Sequence, residues 1–432
     1  MNLRQNALAL IVVTALIVIA EFWIGDRAVV RLWQLPLGLL LIGLAYERWF
    51  VSKYPVNLAA PEQRHLILGR TEQLAFQLSH AASRSLGVQW LLEAPAGVEV
   101  DTEVRELRVP ASSGESQLFS VTPRRLGKVA WPAPRMRVAG PLGLAWWTQR
   151  TELHARFNVV PELIADSHPL TGARAAGSRI TRSIGQGHDV LQLRTYRPGD
   201  PPHLIDWKAS ARRGTLISRE RAEDQHVEIV LAIDAGRASG LRAGSLDRLG
   251  HYANVAARFA QFALANDDRV GILVFADRPL AAVPPSRGSH AITRIRSVLA
   301  SLSTQLAESN PLNAALRIRS LVRQRSLIVL LTDLEDATAA GQLSAAARLL
   351  MPKHLLMIAG LTTPDVVDMS QMPARSWLDP YEALAAQEYC RTLERNARAL
   401  RQLGAPTLLS RPDQLEHAVF NLYREFRAHG RI

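Results

Sequence analysis

The sequence VEIVLAID, residues 227–234, decides the fold of the C-terminal half of this 432-residue chain. Six of its eight residues are apolar, and polar and apolar positions do not alternate. Such a run is typical of a strand buried on both faces, as in a parallel sheet covered by helices. Further runs of this kind follow at residues 270–276, 326–333, 354–360 and 406–410.

Helical segments lie between these runs. The apolar pattern predicts helices that start near residue 245 and at 291–302, 312–322, 342–350 and 381–403. In the first of these, the aromatic residues Tyr252, Phe259 and Phe262 recur at helical spacing and are expected in the core. The alternation of strands and helices predicts an α/β domain over residues 227–432, with a doubly wound, mostly parallel sheet.

Two of the predicted strands end in a carboxylate, Asp234 and Asp333. In sheets of this type, ligands collect at the carboxyl ends of the strands. The two side chains are therefore expected close together, where they would form an oxygen-rich site for Mg²⁺ or Ca²⁺. The structural alternative is that Asp234 caps the following helix or pairs with a neighbouring basic group.

Several common enzyme motifs are missing from the 432 residues. The sequence contains no P-loop, no dinucleotide-binding fingerprint, no His-Glu zinc pattern and no serine elbow, which disfavours an ordinary NTPase or dehydrogenase. The net charge of +12 is spread over the chain as arginine, and no zinc-finger or RNP-like motif accompanies it, which disfavours nucleic-acid binding.

The stretch LRTYRPGDPPHLIDWKASARRGTLISRE, residues 193–220, precedes the α/β domain. Its prolines and Gly199 predict an irregular connection rather than regular helix or strand. One interpretation is catalytic, with Asp200 and Asp206 as an acid–base pair and Ser210 as the nucleophile. No histidine is oriented to assist them, so this interpretation is disfavoured.

The second interpretation of this stretch is organisational. Asp200 is expected to accept N–H bonds of the turn, and Tyr196 and Trp207 are expected to bury apolar area. Arg194 or Arg212 would form a bidentate pair with one of the two aspartates. A loop held in this way would either lock the preceding domain onto the α/β domain or offer a docking surface. The residues expected to take part are Arg194, Tyr196, Gly199, Asp200, Asp206, Trp207, Ser210 and Arg212.

The N-terminal 52 residues predict a transmembrane helical hairpin. Residues 7–24 are apolar except for Thr14 and Glu21, and a helix of this length reaches about 27 Å. A second apolar run, residues 32–46, is shorter and is flanked by aromatic residues. A cleavable signal peptide is the alternative for the first run, but no small-residue cleavage site follows it. The excess of Lys and Arg after the hairpin places both of its ends in the cytosol, unless only one run spans the membrane.

The segment between the hairpin and the α/β domain divides into two parts. Residues 53–160 alternate apolar and polar residues over short runs separated by turn residues, which predicts an antiparallel β-sandwich domain. Residues 161–226 follow as a basic linker that ends in the stretch quoted above. Arg174, Arg179 and Arg182 in this linker would either meet phosphate or lipid headgroups or stay solvated.

Six motifs, in a fixed order along the chain, connect this sequence with a known family. They are GPLGL at 140–144, LRTYRPGD at 193–200, IDWKASARRG at 205–214, DDRVGILVFADR at 267–278, LIVLLTDLED at 327–336 and the C-terminal segment at 399–426. With these motifs, the chain resembles the bacterial domain-of-unknown-function 58 family. Its α/β half resembles a von Willebrand factor A-like domain.

The resemblance to A-like domains has an implication for metal binding. Such domains commonly bind Mg²⁺ through Asp-x-Ser-x-Ser, a Thr and a later Asp. Asp234 and Asp333 match the two aspartates, but Gly236 and Ala238 stand at the serine positions and offer no side-chain oxygen. The resemblance therefore implies a degenerate site that would hold Mg²⁺ weakly. Its further ligands would come from Thr332, Asp336 or Asn310.

The resemblance also implies a partner, because members of this family are often associated with MoxR-type AAA+ ATPases. The resulting hypothesis is a scaffold or adaptor, not an enzyme, in the inner (cytoplasmic) membrane, with its main domains in the cytosol. It would need no cofactor beyond a weakly bound Mg²⁺. Its A-like domain would dock that ATPase or its client in the maturation of cell-envelope proteins. The alternatives are a metal-dependent enzyme at the Asp234/Asp333 end of the sheet and an adhesion-type module outside the membrane.

Overall fold

The structure is a computed structural model that describes residues 2–24, 32–61, 65–111, 114–153, 155–162, 184–222, 227–335, 337–373 and 375–429. Some predictions fall outside these residues. They concern the turn of the predicted hairpin at 25–31 and the side chains of Arg174, Arg179, Arg182 and Asp336.

Two long helices form the N-terminus, α1 at Gln5–Ile24 and α2 at Gln34–Lys53. Both are long and apolar enough to cross a membrane. Helix α1 exposes large apolar side chains over most of its length, whereas the second half of α2 is partly covered by protein. Glu47, Phe50 and Val51 of α2 are buried there.

A β domain contacts the start of α1 and the second half of α2. Its strands are β1 (Asn2–Leu3), β2 (Asn57–Ala59), β3 (His65–Ile67), β4 (Glu72–Ser79), β5 (Leu86–Leu91), β6 (Val98–Val100), β7 (Arg105–Val109), β8 (Gly114–Pro123), β9 (Gly127–Ala130), β10 (Arg135–Ala139), β11 (Ala145–Arg150) and β12 (Arg156–Val160). They form sheets with the orders β1-β11-β10-β5-β7, β2-β4-β8-β6 and β3-β12-β9. The pairing is antiparallel, as predicted, except that β3 and β12 run parallel. Phe76, Trp90 and Phe119 pack edge to face at the centre of the shared core.

A two-stranded hairpin follows, formed by β13 (Ile184–Thr195) and β14 (Ile217–Ala222). Between its strands lie a 3₁₀ turn at Pro202–Leu204 and helix α3 at Trp207–Arg213. The prediction that most of residues 193–220 are irregular was therefore wrong for the helix at 207–213 and for the strand residues at 193–195 and 217–220. Asp206 caps the start of α3, and Gly214 ends it with a φ of 68°, which glycine adopts readily.

The α/β domain is built on a six-stranded sheet with the order β19-β18-β15-β20-β21-β22. Its strands are β15 (Glu228–Asp234), β18 (Arg269–Phe275), β19 (Pro279–Ser286), β20 (Leu327–Leu331), β21 (Leu355–Leu361) and β22 (Thr407–Ser410), and a small hairpin, β16 (Arg242–Ala243) and β17 (Leu246–Asp247), lies apart from it. All neighbouring strands are parallel except β19, which pairs antiparallel with β18. The sequence did not predict β19, because its three prolines argue against a strand. Prolines are tolerated there because β19 is an edge strand.

Helices cover both faces of this sheet. They are α4 (Arg248–Ala265), α5 (Gly288–Ala300), α6 (Pro311–Leu321), α7 (Ala337–Leu350), α8 (Pro364–Met369), α9 (Asp379–Gln402) and α10 (Leu415–Ala428). Helices α4, α5 and α10 share one apolar core with the sheet, and α6, α7 and α9 share the other. The sequence predicted five of these helices but neither the short α8 nor the terminal α10.

The β and α/β domains meet at the start of α4. Leu246, just before this helix, is buried in the core of the β domain. Arg258 of α4 forms ion pairs with Glu162, which follows β12, and with Glu416 of α10. The backbone N–H of Glu162 also donates to Asn254 Oδ1 at 2.9 Å. These contacts, which the sequence did not predict, join the two domains.

The carboxylate of Glu47 fastens α2 to the β domain. It is fully buried and accepts hydrogen bonds from the backbone N–H groups of Leu142 (3.0 Å), Leu144 (2.9 Å) and Ala145 (3.0 Å) and from Trp147 Nε1 (3.2 Å). The turn between β10 and β11 therefore forms a cradle of N–H donors for a charge on the helix.

The N-terminus reaches the same turn. Strand β1 pairs with β11, and the N–H of Arg4 donates to the carbonyl of Leu144 at 2.8 Å. The start of α1 and the end of α2 are therefore fixed to the same end of the β domain.

The cradle requires a glycine, so we expect Gly140→Ala to release Glu47. A Cβ at position 140 would lie 2.0 Å from Glu47 Cδ. Each buried donor left without its partner costs about 1–3 kcal/mol. Thermal unfolding in detergent should therefore show a lower Tm for Gly140→Ala, similar to that of Glu47→Ala. The control is Gly38→Ala, at a position with no atom within 4 Å of the added Cβ. Equal Tm values for Gly140→Ala and Gly38→Ala would contradict the prediction.

Candidate functional site

The two predicted carboxylates lie together at the carboxyl end of the sheet. Asp234 ends β15, and Asp333 follows β20, the strand paired with it. Asp234 is 2% exposed. Its Oδ2 accepts hydrogen bonds from Ser309 Oγ and Thr332 Oγ1, both at 2.6 Å, and its Oδ1 accepts one from the Gly236 N–H at 2.9 Å. Both oxygens of Asp234 are thus engaged within the protein.

Asp333 pairs with a buried arginine that the sequence did not single out. Arg248 is the first residue of α4 and is 2% exposed. Its Nη1 donates to Asp333 Oδ1 at 3.0 Å, and Tyr252 OH donates to the same oxygen at 2.9 Å. Arg248 and Tyr252 are four residues apart, so they lie on one face of α4 and reach Asp333 together.

The other side of the guanidinium meets three more oxygens. Nη2 of Arg248 contacts the carboxylate of Glu335, Thr363 Oγ1 at 2.9 Å and Tyr389 OH at 3.2 Å. Tyr389 OH also donates to Glu335. The loops after β20 and β21 and helix α9 therefore converge on one side chain.

Burial and charge pairing act against each other here. Burial raises the pKa of Asp333, and Arg248 opposes this shift. Burial likewise raises the pKa of Asp234, and the hydrogen bonds from Ser309 and Thr332 oppose it. Burial works to lower the pKa of Arg248, but Asp333 and Glu335 raise it above its ordinary value. The guanidinium is therefore charged at any physiological pH.

The residues present do not fit the Mg²⁺ site implied by the resemblance. Gly236 and Ala238 offer no side-chain oxygen, and Ser239 Oγ donates to the carbonyl of Gly236 at 2.7 Å. Asn310 Oδ1 caps α6 through the Asn313 N–H. Over the described residues, no group of three or more His, Cys, Asp or Glu side chains is placed to hold a metal ion.

An exposed apolar stripe lies at the start of α9, the helix that supplies Tyr389 to this site. Trp377 lies two residues before the helix, Tyr381 and Leu384 lie in its first turns, and the three side chains are 80%, 67% and 61% exposed. Met372, in the loop before the helix, is also exposed. Such a row of large apolar side chains on a helix is typical of a protein-interaction surface.

The surroundings of this stripe are acidic, although the chain as a whole carries a charge of +12. Between residues 364 and 390 the sequence has five acidic residues and one basic residue, Arg375. Asp379 accepts hydrogen bonds from the N–H groups of Arg375 and Ser376 and so fixes the start of α9. A partner for this surface would therefore be apolar and basic.

The segment between β13 and β14 is organised around its two aspartates. Arg194 makes the bidentate pair with Asp200, with Nη1 and Nη2 each 2.8 Å from one carboxylate oxygen. The N–H of Arg197 donates to Asp200 as well, and Tyr196 OH donates to the Asp200 carbonyl at 3.3 Å. Gly199 has a φ of 107°, which allows this tight turn.

Asp206 and Ser210 are also structural. Asp206 accepts the N–H groups of Lys208 and Ala209 at the start of α3 and pairs with Arg219 Nε at 2.9 Å. Ser210 Oγ donates to the Asp206 carbonyl and accepts the N–H of Ile217, so the hydroxyl links helix α3 to strand β14. An acid–base pair with Ser210 as nucleophile finds no support in these contacts.

Trp207 corrects one expectation for this segment. It was expected to bury its ring, but this residue, the first of α3, is 67% exposed. Arg212 is exposed as well. The described hydrogen bonds of Asp200, Asp206 and Ser210 stay within the segment, whereas the two domains meet at Leu246 and Arg258. These contacts do not support the interpretation that this segment locks the two domains together. The exposed ring of Trp207 is compatible with the other interpretation, a docking surface.

Residues 192–401 match the family model "Protein of unknown function DUF58", which confirms the resemblance drawn from the sequence motifs. No curated protein matches the chain. Among solved structures, the conserved hypothetical protein BatB from Bacteroides thetaiotaomicron is 14% identical, with a TM-score of 0.30 over 46% of this chain and 99% of that one.

Two further solved structures match over smaller shares of the chain. Proximal thread matrix protein 1 from the mussel byssus, with a zinc-occupied MIDAS motif, is 14% identical, with a TM-score of 0.21 over 32% of this chain and 36% of that one. A CARDB domain from Pyrococcus furiosus, in complex with di-metal ions, is 9% identical, with a TM-score of 0.17 over 25% of this chain and 87% of that one.

The contacts of Asp206 predict how the hairpin responds to acid. The hydrogen bond from Arg219, followed by that from the Ala209 N–H, lowers the pKa of Asp206 from 3.8 to about 2. Its contribution to stability is therefore complete above pH 3.8 and is lost as the pH falls towards about 2. NMR of the carboxyl carbon should show this low midpoint, and amide exchange at Lys208 and Ala209 should rise over the same interval. Asp206→Asn should exchange faster at neutral pH and lose this dependence. A midpoint near 3.8 would disprove the assignment.

Proposed function

The chain carries a DUF58 region over residues 192–401, and from this premise we propose that it is a membrane-anchored adaptor that binds another protein through helix α9. The observation that carries the proposal is the apolar stripe of Trp377, Tyr381 and Leu384 on an acidic surface. Exposed Trp and Tyr side chains are the residues that most often dominate the binding energy of protein interfaces.

The chemistry of the sheet end supports an adaptor rather than an enzyme. Asp234 and Asp333 are buried and accept hydrogen bonds from neighbouring donors, so neither presents an exposed carboxylate to a substrate. The fold of this domain, as we propose, is that of a von Willebrand factor A-like domain. Its six-stranded sheet with one antiparallel edge and helices on both faces supports this. The carboxylates at the strand ends bind neighbouring side chains of the same domain, and this supports a role in binding rather than in catalysis.

The partner that we propose is a MoxR-type AAA+ ATPase, or its client, by analogy with the family that the chain resembles. The binding surface of that partner would be apolar and basic, to complement the acidic surface around α9. The pathway would be the maturation of cell-envelope proteins.

The location that we propose is the inner (cytoplasmic) membrane, with the β and α/β domains in the cytosol. The fixing of the start of α1 and the end of α2 to one turn of the β domain supports a hairpin whose two ends lie on the same side. The excess of Lys and Arg after the second helix supports the cytosolic side. Protease treatment of intact cells should therefore spare the α/β domain, whereas treatment of opened vesicles should cleave it.

Removal of the stripe should abolish docking. We expect the double variant Tyr381→Ala, Leu384→Ala to reduce crosslinking to the ATPase by about tenfold or more, because central aromatic anchors each contribute about 2 kcal/mol or more. The measurement is photocrosslinking from a probe at position 377 in cells that express the ATPase, with identification of the product by mass spectrometry. The matched control is Leu316→Ala, a similarly exposed leucine on α6. The proposal fails if the double variant and the control recover the ATPase equally.

A further inference from the structure

Arg248 stands where the sheet end would otherwise need a cation. Four oxygens face its guanidinium, from Asp333, Glu335, Thr363 and Tyr389. They come from the loops after β20 and β21 and from α9. An oxygen shell of carboxylates and hydroxyls is also what a hard divalent cation selects. We propose that Arg248 is the permanent cation of this site, that it takes the place of a divalent metal ion, and that it holds α9 in its docking position.

The arrangement of Asp234 supports this exchange of roles. In a metal-dependent site, this carboxylate would point an oxygen at the cation. Here it accepts three hydrogen bonds, from Ser309, Thr332 and the N–H of Gly236. The carboxylates that still need a positive charge are Asp333 and Glu335, and Arg248 pairs with both.

Burial makes a cation necessary at this position. Asp333 is 8% exposed, and a buried carboxylate without a counter-charge is strongly destabilising. A guanidinium fits this need better than an ammonium, since its planar fork reaches several oxygens at once. A covalently attached cation also cannot dissociate, so the site does not depend on the concentration of Mg²⁺ or on chelators.

The same guanidinium positions the docking helix. Tyr389 lies eight residues after Tyr381 on α9, a little more than two helical turns away. Tyr389 faces the sheet end, whereas Tyr381 is exposed. Its hydroxyl contacts both Arg248 and Glu335. Asn396, two turns further on, donates to the carbonyl of Leu334 at 2.8 Å. The stripe is therefore carried by a helix whose middle is fastened to the sheet end through Arg248.

The atoms left without partners indicate what the loss of Arg248 would expose. In the described part of the chain, Asp333 Oδ2 is buried and accepts no hydrogen bond. Without the guanidinium, this oxygen, Asp333 Oδ1 and the Glu335 carboxylate would face a gap of guanidinium size. A soluble guanidinium or a divalent cation is the kind of species that fills such a gap.

The first test uses the unaltered full-length chain in detergent. Hydrogen–deuterium exchange is measured over residues 332–335 and 379–402 in MnCl₂ and in EDTA. We expect the two exchange patterns to be the same, because the site already holds its cation. Slower exchange in MnCl₂ that disappears in Asp333→Asn would overturn the proposal.

The second test removes the cation. In Arg248→Ala, exchange over residues 379–402 should rise by about tenfold, the change expected when hydrogen bonds to a charged group are lost. Added methylguanidinium or Mn²⁺ should reverse this rise, which would not happen if Arg248 acted only by filling space. The matched control is Arg258→Ala, which removes another arginine of α4 that pairs with two carboxylates. Its exchange over residues 379–402 should not change with either additive.

Exchange in Arg248→Ala that equals that of the unaltered chain, or that neither additive reverses, would overturn the proposal. If Arg248→Ala does not fold, Arg248→Lys keeps the charge but loses the fork. It should show faster exchange confined to residues 332–335 and 379–402, and unchanged exchange there would count against the proposal. The role of α9 in docking rests on the proposed function, but these tests use no partner. A negative result here therefore leaves the adaptor proposal standing, and a failed crosslinking experiment leaves the role of Arg248 standing.

Discussion

The ion pair between Arg248 and Asp333 is the interaction on which the functional end of the α/β domain depends. Both side chains are buried, and the loss of one partner from such a pair costs about 3–5 kcal/mol, because it leaves a charge without compensation. Such a cost is a large fraction of the stability of a typical domain. Because desolvation of the two charges offsets much of their attraction, the intact pair adds less net stability than this cost suggests. The loops after β20 and β21 and helix α9 take their places around it.

The ion pair between Arg248 and Asp333 gives these strand ends a structural role in place of metal binding. A protein-bound Mg²⁺ usually keeps several of its waters. In this chain the cation that we propose is the guanidinium of Arg248, which pairs with Asp333 and Glu335. The exposed apolar side chains lie instead at the start of α9, in Trp377, Tyr381 and Leu384. The carboxylates hold the helix, and the helix presents the apolar surface.

Local patterns in the sequence predicted the parts of the fold that local patterns determine. The long apolar runs predicted the five parallel strands, and the positions of Asp234 and Asp333 predicted that these residues meet at one end of the sheet. Strand β19 was not predicted, because its prolines are tolerated only in an edge strand. Which strand lies at the edge depends on the whole sheet. Helix α3 was not predicted either, although Asp206 and Gly214 are typical capping residues at its two ends. The prolines before the helix favoured an irregular loop.

Local sequence patterns could not predict the contacts between residues far apart in the chain. Glu47 and its donor Leu142 are 95 residues apart, and Arg248 and Asp333 are 85 residues apart. A glutamate in an apolar helix and an arginine at the start of another helix carry no local mark of their partners. Sequence reasoning found the carboxylate of the second pair but not its arginine. A weakly bound Mg²⁺ and a structural role beside a neighbouring basic group were therefore both left open for the strand-end carboxylates.

Three consecutive residues connect the β domain to the docking helix. Leu246 is buried in the core of the β domain, Asp247 caps α4 through the Gly250 N–H at 2.8 Å, and Arg248 binds the sheet-end carboxylates. A shift of one residue in this segment would break all three contacts, because each side chain has its own place. The β domain is in turn fixed to α2 by the buried carboxylate of Glu47. The position of α9 relative to helices α1 and α2 therefore follows from a series of buried contacts. The adaptor that we propose would need such a series to present one surface at a fixed distance from a membrane.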